Sequence, residues 1–256
     1  MTSNNATPVL ATHIDRSATQ NKAGSGSYTY YHAGPLFTIG DLHTNVLLSR
    51  AISRLSNGKF RPLLPQDLEQ RGHVTPQNIR DKDIRALLNC DLALFTYDGA
   101  ELDSGTVVEF MIAKMADIPC VILRSDFRHG GDQASKDSAG QPWNLMSSFW
   151  PRTNAVVVDA MLDYKQALAV AIKGGTDGAA ELSHFAGESL IGRTAKRCVD
   201  ALDEVLKLPS RMPKELRESV YRWLALMPGY AEGDDAQDVS EAISLLAKKE
   251  AKGLLQ

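Results

Sequence analysis

From Tyr28 to Lys173 short apolar runs alternate with stretches of helical periodicity, and this restricts the chain to few folds. Strands are predicted at Tyr28–Ala33, Phe60–Leu64, Asp91–Tyr97, Pro119–Leu123 and Ala155–Val158. Helices are predicted between them. Asp41–Ser56 repeats Leu42, Val46, Leu47, Ile52 and Leu55 on one stripe and stops at Asn57-Gly58. Thr75-Pro76 is a cap followed by a first-turn proline, opening a helix to Asn89. Gly105–Asp117 and Asp159–Lys173 complete the series. The Asp91–Tyr97 run is continuous enough for a central strand buried on both faces. Strands regularly separated by helices imply a doubly wound, parallel, five-stranded sheet.

The pattern changes on either side. Residues 1–26 are rich in Thr, Ser, Asn and Gly without periodicity, as expected of a loose arm. Residues 27–175 form the predicted α/β catalytic unit. Beyond Gly174-Gly175 strand signals stop, and residues 176–256 read as a helical extension with helices at Glu181–Leu206, Lys214–Leu226 and Val239–Lys252. Residues 125–142 are polar and glycine-rich, which suggests a mobile loop. The net charge of −3 gives no basic field for a nucleic-acid polymer. No apolar run suits a membrane span, and Met1–Ser27 lacks the apolar core of a signal peptide. Cys90, Cys120 and Cys198 are scattered and odd in number, so neither a disulfide framework nor a metal spacing is expected. A reducing cytoplasm fits best.

In open α/β sheets ligands bind beyond the carboxyl ends of the strands where strand order reverses. The first and third strands usually flank that point. Here they lead into Ala33-Gly34-Pro35-Leu36-Phe37 and Asp98-Gly99-Ala100-Glu101-Leu102-Asp103, and the next helix opens with Ser104-Gly105-Thr106-Val107-Val108-Glu109. Asp103 and Glu109 therefore stand at the predicted cleft. Each also has a structural reading: Thr106-x-x-Glu109 matches a capping box, and Asp103 or Ser104 matches an N-cap. Asp83 adds weight to the chemical reading, because it shares a helical stripe with Ile79, Ile84 and Leu87, while Asp81, Lys82 and Arg85 point elsewhere and look solvated. A carboxylate on an apolar stripe is either paired with an arginine or raised in pKa, as a proton donor near neutral pH needs. Carboxylates around one cleft, without a metal motif or glycine-rich phosphate loop, fit glycosidic chemistry: one attacks or stabilises a cation-like carbon, another protonates the departing group.

The ordered set YHAGPLF, IRDKDI, LFTYDG, LDSGTVVE and WNLM resembles the nucleoside 2-deoxyribosyltransferases over about residues 28–160. The resemblance implies a flavodoxin-like sheet, no cofactor or metal, and a ping-pong exchange of nucleobases on 2′-deoxynucleosides through a covalent deoxyribosyl-enzyme. It assigns Glu109 as nucleophile, Tyr31 as the residue that orients it, Asp83 as the carboxyl at the nucleobase and Asp103 as the sugar-binding aspartate. Gly34 falls in the matching turn at the substrate. Asn144 and Met146 resemble a segment entering a neighbouring subunit's site, which implies a homo-oligomer. The partners expected are deoxynucleosides and free nucleobases, not nucleic-acid polymers or membranes. The chain departs from the family pattern at His32, expected to be structural rather than a second base, and at Met111, where relatives often have glycine. Tyr30 competes with Tyr31, but neighbours in a strand face opposite ways, so only one can serve. Two other readings stay open: an N-glycosidase hydrolysing nucleosides or 5′-nucleotides, for which Ser104 and Thr106 are available without a basic cluster, and a non-enzymatic nucleotide sensor.

Overall fold

A computed structural model describes residues 26–68, 75–128, 132, 140–230 and 235–256. Residues 1–25 of the expected arm, and 129–131 and 133–139 of the expected loop, lie outside the described residues. The strands are β1 (Tyr28–Ala33), β2 (Phe60–Leu63), β3 (Leu92–Thr96), β4 (Cys120–Arg124) and β5 (Thr153–Val157). They form one parallel sheet in the order β2-β1-β3-β4-β5. This is the flavodoxin-like order, and its switch point lies between β1 and β3. Tyr31 aligns with Leu63 on one side and Ala93 on the other, so β1 is fully flanked.

The helices are α1 (Ile39–Leu55), α2 (Pro65–Leu68), α3 (Pro76–Asn89), α4 (Ser104–Met115), α5 (Ala160–Lys173), α6 (Ala179–Leu206), α7 (Lys214–Leu224) and α8 (Asp235–Ala251). α3 begins as its sequence signals require, with Thr75 as cap and Pro76 inside the first turn. α1 starts two residues before the expected Asp41, because Thr38 and Asp41 form a capping box. The short α2 was not anticipated, since four residues are too few to display a period.

Alternation along the strands builds two cores. Tyr31, Ala33, Ala93, Phe95, Cys120 and Ile122 face α3 and α4. Tyr30, Leu92, Leu94, Val121 and Leu123 face α1 and α6. Each fully buried Leu or Phe on these faces contributes roughly 1.5–3 kcal/mol of transfer free energy. The helices beyond residue 175 divide between the layers. α6 supplies Ala195, Cys198, Leu202 and Val205 to one core; α7 and α8 supply Tyr221, Leu224, Ala242 and Leu245 to the other. All three cysteines are buried and free. No helix among the described residues is long and apolar enough to cross a membrane.

The expectation that Asp81 is solvated is corrected, whereas Arg85 is anchored with its side chain still partly exposed. Asp81 is buried and pairs with Arg80 at 2.8 Å. Arg85 donates to the Gly229 carbonyl at 2.6 Å and to Asp238 at 3.2 Å. Gly229 has φ +107, and a Cβ there would stand 2.9 Å from Ile84 Cγ2, so only glycine fits against α3. Gly229 and Asp238 of the C-terminal segment thus reach Ile84 and Arg85 of α3, which no local pattern in α3 reveals.

The amino-terminal edge of the sheet is stitched by charges. Asp117, at φ 54 before β4, accepts from the Ser210 hydroxyl and the Arg211 and Met212 amides and pairs with Arg152 at 3.2 Å. Burial alone would raise the Asp117 pKa, but Ser210, the Met212 amide and Arg152 outweigh it and hold the carboxyl below its ordinary range. Asp91, before β3, pairs with Lys252 at 2.7 Å and accepts from the Thr29 amide. The fully buried Lys249 donates to the Cys90 carbonyl at the end of α3, and burial pulls its ammonium down to about 8.

Candidate active site

The site lies at the carboxyl end of β1, beside the switch point. Tyr31 points into the α3/α4 layer and donates from its hydroxyl to Glu109 Oε1 at 2.6 Å. Tyr30 faces the opposite core, where its hydroxyl has no partner among the described residues. Strand alternation thus decides between the two tyrosines. His32 lies on the Tyr30 face, its ring 5.9 Å from that of Tyr30. It is 1% exposed, neither ring nitrogen has a partner among the described residues, and burial pushes its pKa down to about 4. A neutral imidazole on that side of β1 is turned away from Glu109.

Glu109 does not serve a capping box. Asp103 is the N-cap of α4, its Oδ2 accepting from both the amide and the hydroxyl of Thr106 at 2.7 Å. Glu109 sits more than a turn further in, where its carboxylate meets Tyr31. Burial raises Glu109 to about 7; the Tyr31 hydrogen bond opposes this, and the charges of Asp83 and Asp103 add to it. Asp83, on α3, is raised to about 6 by burial. It forms no ion pair among the described residues. Tyr31 is pushed well above its ordinary value by burial and by the charges of Glu109 and Asp83, so it remains a proton donor.

Asp83 opens on a small cavity of about 80 Å³ walled by Leu36, Pro65, Gln66, Leu68, Ile79 and Lys82. Ile79, expected on the buried stripe of α3, is instead exposed at the rim of this cavity. Gly34 closes the turn after β1: a Cβ there would stand 2.9 Å from Thr96 Cβ, so glycine lets the β1 and β3 ends approach. At the start of the loop after β3, Asp98 accepts from the Ser125 amide and hydroxyl and the Asp126 amide, tying the end of β3 to that of β4. Buried Arg124 donates to the Tyr97 and Gly99 carbonyls of the same loop. No short motif marks either contact, because both join residues 25 to 28 positions apart.

Asn144 and Met146 do not join this cluster within one chain. They line a separate groove of about 780 Å³ with Ser104, Val107, Val108 and Met111. Those positions lie on the flank of α4 away from Glu109. Asn144 caps a short 3-10 turn by accepting from the Met146 amide, and Met146 is 77% exposed. Met111 packs partly against the core at the groove, not beside Glu109. No group of three or more candidate metal ligands occurs among the described residues.

No curated protein matches the chain. Among solved structures, a conserved protein from Enterococcus faecalis V583 is similar at TM-score 0.44 and 25% identity, over 53% of this chain and 94% of its own. A 2-desoxiribosyltransferase from Leishmania mexicana is similar at TM-score 0.39 and 24% identity, over 57% of this chain and 97% of its own. The family model described as Nucleoside 2-deoxyribosyltransferase matches residues 30–146, the stretch that contains Tyr31, Asp83, Asp103 and Glu109. Residues 30–146 are thus similar to the nucleoside 2-deoxyribosyltransferases.

Proposed function

We propose that this protein exchanges nucleobases on 2′-deoxynucleosides through a deoxyribosyl ester on Glu109. The observation that carries this reading is the Tyr31–Glu109 hydrogen bond of 2.6 Å near Asp83, which has no ion pair among the described residues. Tyr31 occupies Oε1 and leaves Oε2 for C1′. As Oε2 bonds to C1′, the C1′–N bond breaks and the leaving base takes the Asp83 proton, directly or through a water. The incoming base then attacks C1′, the ester bond breaks, and its proton passes to Asp83. Two inversions retain the configuration. Asp103 Oδ1, without a partner among the described residues, is available for a sugar hydroxyl, and Gly34 allows the sugar to approach the backbone. Lack of a 2′-hydroxyl eases formation of the cation-like transition state, so ribonucleosides are poorer substrates.

Asn144 and Met146 act in the site of a neighbouring subunit. This reading is supported by the exposure of Met146 and by their position on the flank of α4 away from Glu109. Mixing Glu109→Ala and Asn144→Ala subunits under exchange then restores activity through hybrid sites; no recovery despite exchange counts against it. For a 5′-nucleotide hydrolase the Thr106 amide and hydroxyl already serve Asp103, which leaves Ser104 of the two phosphate-binding candidates.

The direct test is incubation with deoxyinosine and free adenine, separated by chromatography. Deoxyadenosine and hypoxanthine are the expected products. Free deoxyribose as the main product replaces transfer with hydrolysis, and unchanged substrates overturn the enzymatic reading.

A further inference from the structure

The C-terminal helices lie outside the family match, and α7 carries two apolar faces instead of one. Tyr221 and Leu224 pack into the core below. About a third of a turn away, Leu216, Val220 and Trp223 form a second stripe at i, i+4 and i+7. Leu216 is 50% exposed and Trp223 is 60% exposed; Val220 is half-buried, and exposed Leu226 extends the patch. Scattered apolar side chains are ordinary on a monomer surface. A contiguous stripe centred on a tryptophan, the residue most enriched among interface anchors, calls for a partner.

We infer that this stripe pairs α7 with α7 of a second copy, antiparallel, about a dyad between Ser219 and Val220. The charges single out this occupant. Glu215 and Arg222 lie on the same flank of the stripe, near opposite ends of the helix. In an antiparallel pair like flanks meet, so Glu215 of each helix faces Arg222 of the other. The same register sets Leu216 of each helix against Trp223 of the other. It also puts the small Ser219 at the crossing point, where the helix backbones come closest. Arg222 now pairs with Glu218 of its own helix at 2.8 Å, and Glu215 has no ion pair among the described residues. In parallel pairing opposite flanks meet, so Glu215 and Arg222 would have no charged counterpart across the seam. Such an interface is isologous and closes on itself, so it adds a twofold contact separate from the Asn144–Met146 surface.

The test is cysteine cross-linking joined to light scattering on the full chain. Because Cys90, Cys120 and Cys198 are buried, Ser219→Cys introduces an accessible thiol beside the dyad. Mild oxidation links two Ser219→Cys chains rapidly, whereas Lys214→Cys, at the far end of the stripe, links slowly. Trp223→Glu and Leu216→Glu each halve the molar mass seen by light scattering while the circular dichroism is unchanged. Glu215→Arg or Arg222→Glu alone weakens association, and the double exchange restores it. Unaltered mass in folded Trp223→Glu, or Ser219→Cys linking no faster than Lys214→Cys, overturns the inference. Should the glutamate variants misfold, the relative cross-linking rates decide alone.

Discussion

The two ends of the sheet treat buried carboxylates in opposite ways. At the amino-terminal edge Asp117 is met by Arg152, the Ser210 hydroxyl and two amides, and Asp91 by Lys252 and Thr29. At the carboxyl edge, among the described residues, Asp83 has no counter-ion and Glu109 has only the Tyr31 hydroxyl. One edge lowers a carboxyl pKa; the other raises two. Burial is common to both, so the difference comes from the partners. Full pairing makes a carboxylate structural, because removing either member strands a buried charge. Partial pairing leaves it close to its pKa at neutral pH, where proton transfer and nucleophilic attack are both within reach.

The largest expected effect comes from Glu109→Gln. The amide still accepts from Tyr31 but cannot form the ester, so transfer falls by several orders of magnitude. Rapid quenching and mass spectrometry of wild-type protein with deoxynucleoside alone should find the deoxyribosyl adduct on the Glu109 peptide. An adduct elsewhere, or near-normal turnover of the variant, removes Glu109 as nucleophile. Asp83→Asn follows, with a loss of roughly 10²–10⁴-fold for poorly departing bases. The loss shrinks for activated bases that need no proton, and an equal loss across leaving groups would mark a structural residue.

Breaking the other edge gives the reverse pattern. Arg152→Met strands Asp117 and costs roughly 3–5 kcal/mol of stability in denaturant titrations. Turnover at low temperature should persist, because Arg152 is remote from the site. Loss of activity without loss of stability would contradict the division of labour.

The pH response sharpens the comparison. Turnover in the first half-reaction needs Glu109 ionised and Asp83 protonated. With the pair titrating at about 7 and about 6, kcat/KM should be bell-shaped, with its maximum between those values. Removing the Tyr31 hydroxyl in Tyr31→Phe takes away a contact that lowers Glu109; because Glu109 titrates above Asp83, the alkaline limb should move to higher pH and the maximum should fall. An unmoved limb would show that Tyr31 does not tune Glu109.

Stability carries the smallest effect and opposite signs at the two edges. Asp83 and Glu109 have raised folded-state pKa values, so their contribution is fully present below the unfolded values and is lost as pH rises through about 6 and 7. Asp117 has a lowered value, so its contribution is present above the unfolded value and is lost as pH falls through the folded one. Glu109→Gln should therefore raise Tm by a few degrees at pH 8 and leave it little changed at pH 4. A gain of equal size at both values would rule out relief of a buried charge.

Much of this was legible in the residues themselves. Strand alternation and helix caps are local, so β1 and α3 fall where expected, and Asp83, Asp103 and Glu109 could be assigned to a cleft before any coordinates. Relations between distant segments were not legible. Choosing Tyr31 over Tyr30 required knowing which face of β1 meets α4. Whether Thr106-x-x-Glu109 was a cap depended on Asp103 holding Thr106 while Tyr31 held Glu109. Asp81 reads as solvated from its own helix and is buried in the fold. The helices after residue 175 read as an extension, yet their apolar faces divide between the two sides of the sheet. A periodic pattern states that a face will be buried, because the period follows from the geometry of one helix or strand. Which partner buries it, and whether a carboxylate there meets a cation or only a hydroxyl, depends on contacts between residues far apart in sequence. Only the tertiary structure supplies them.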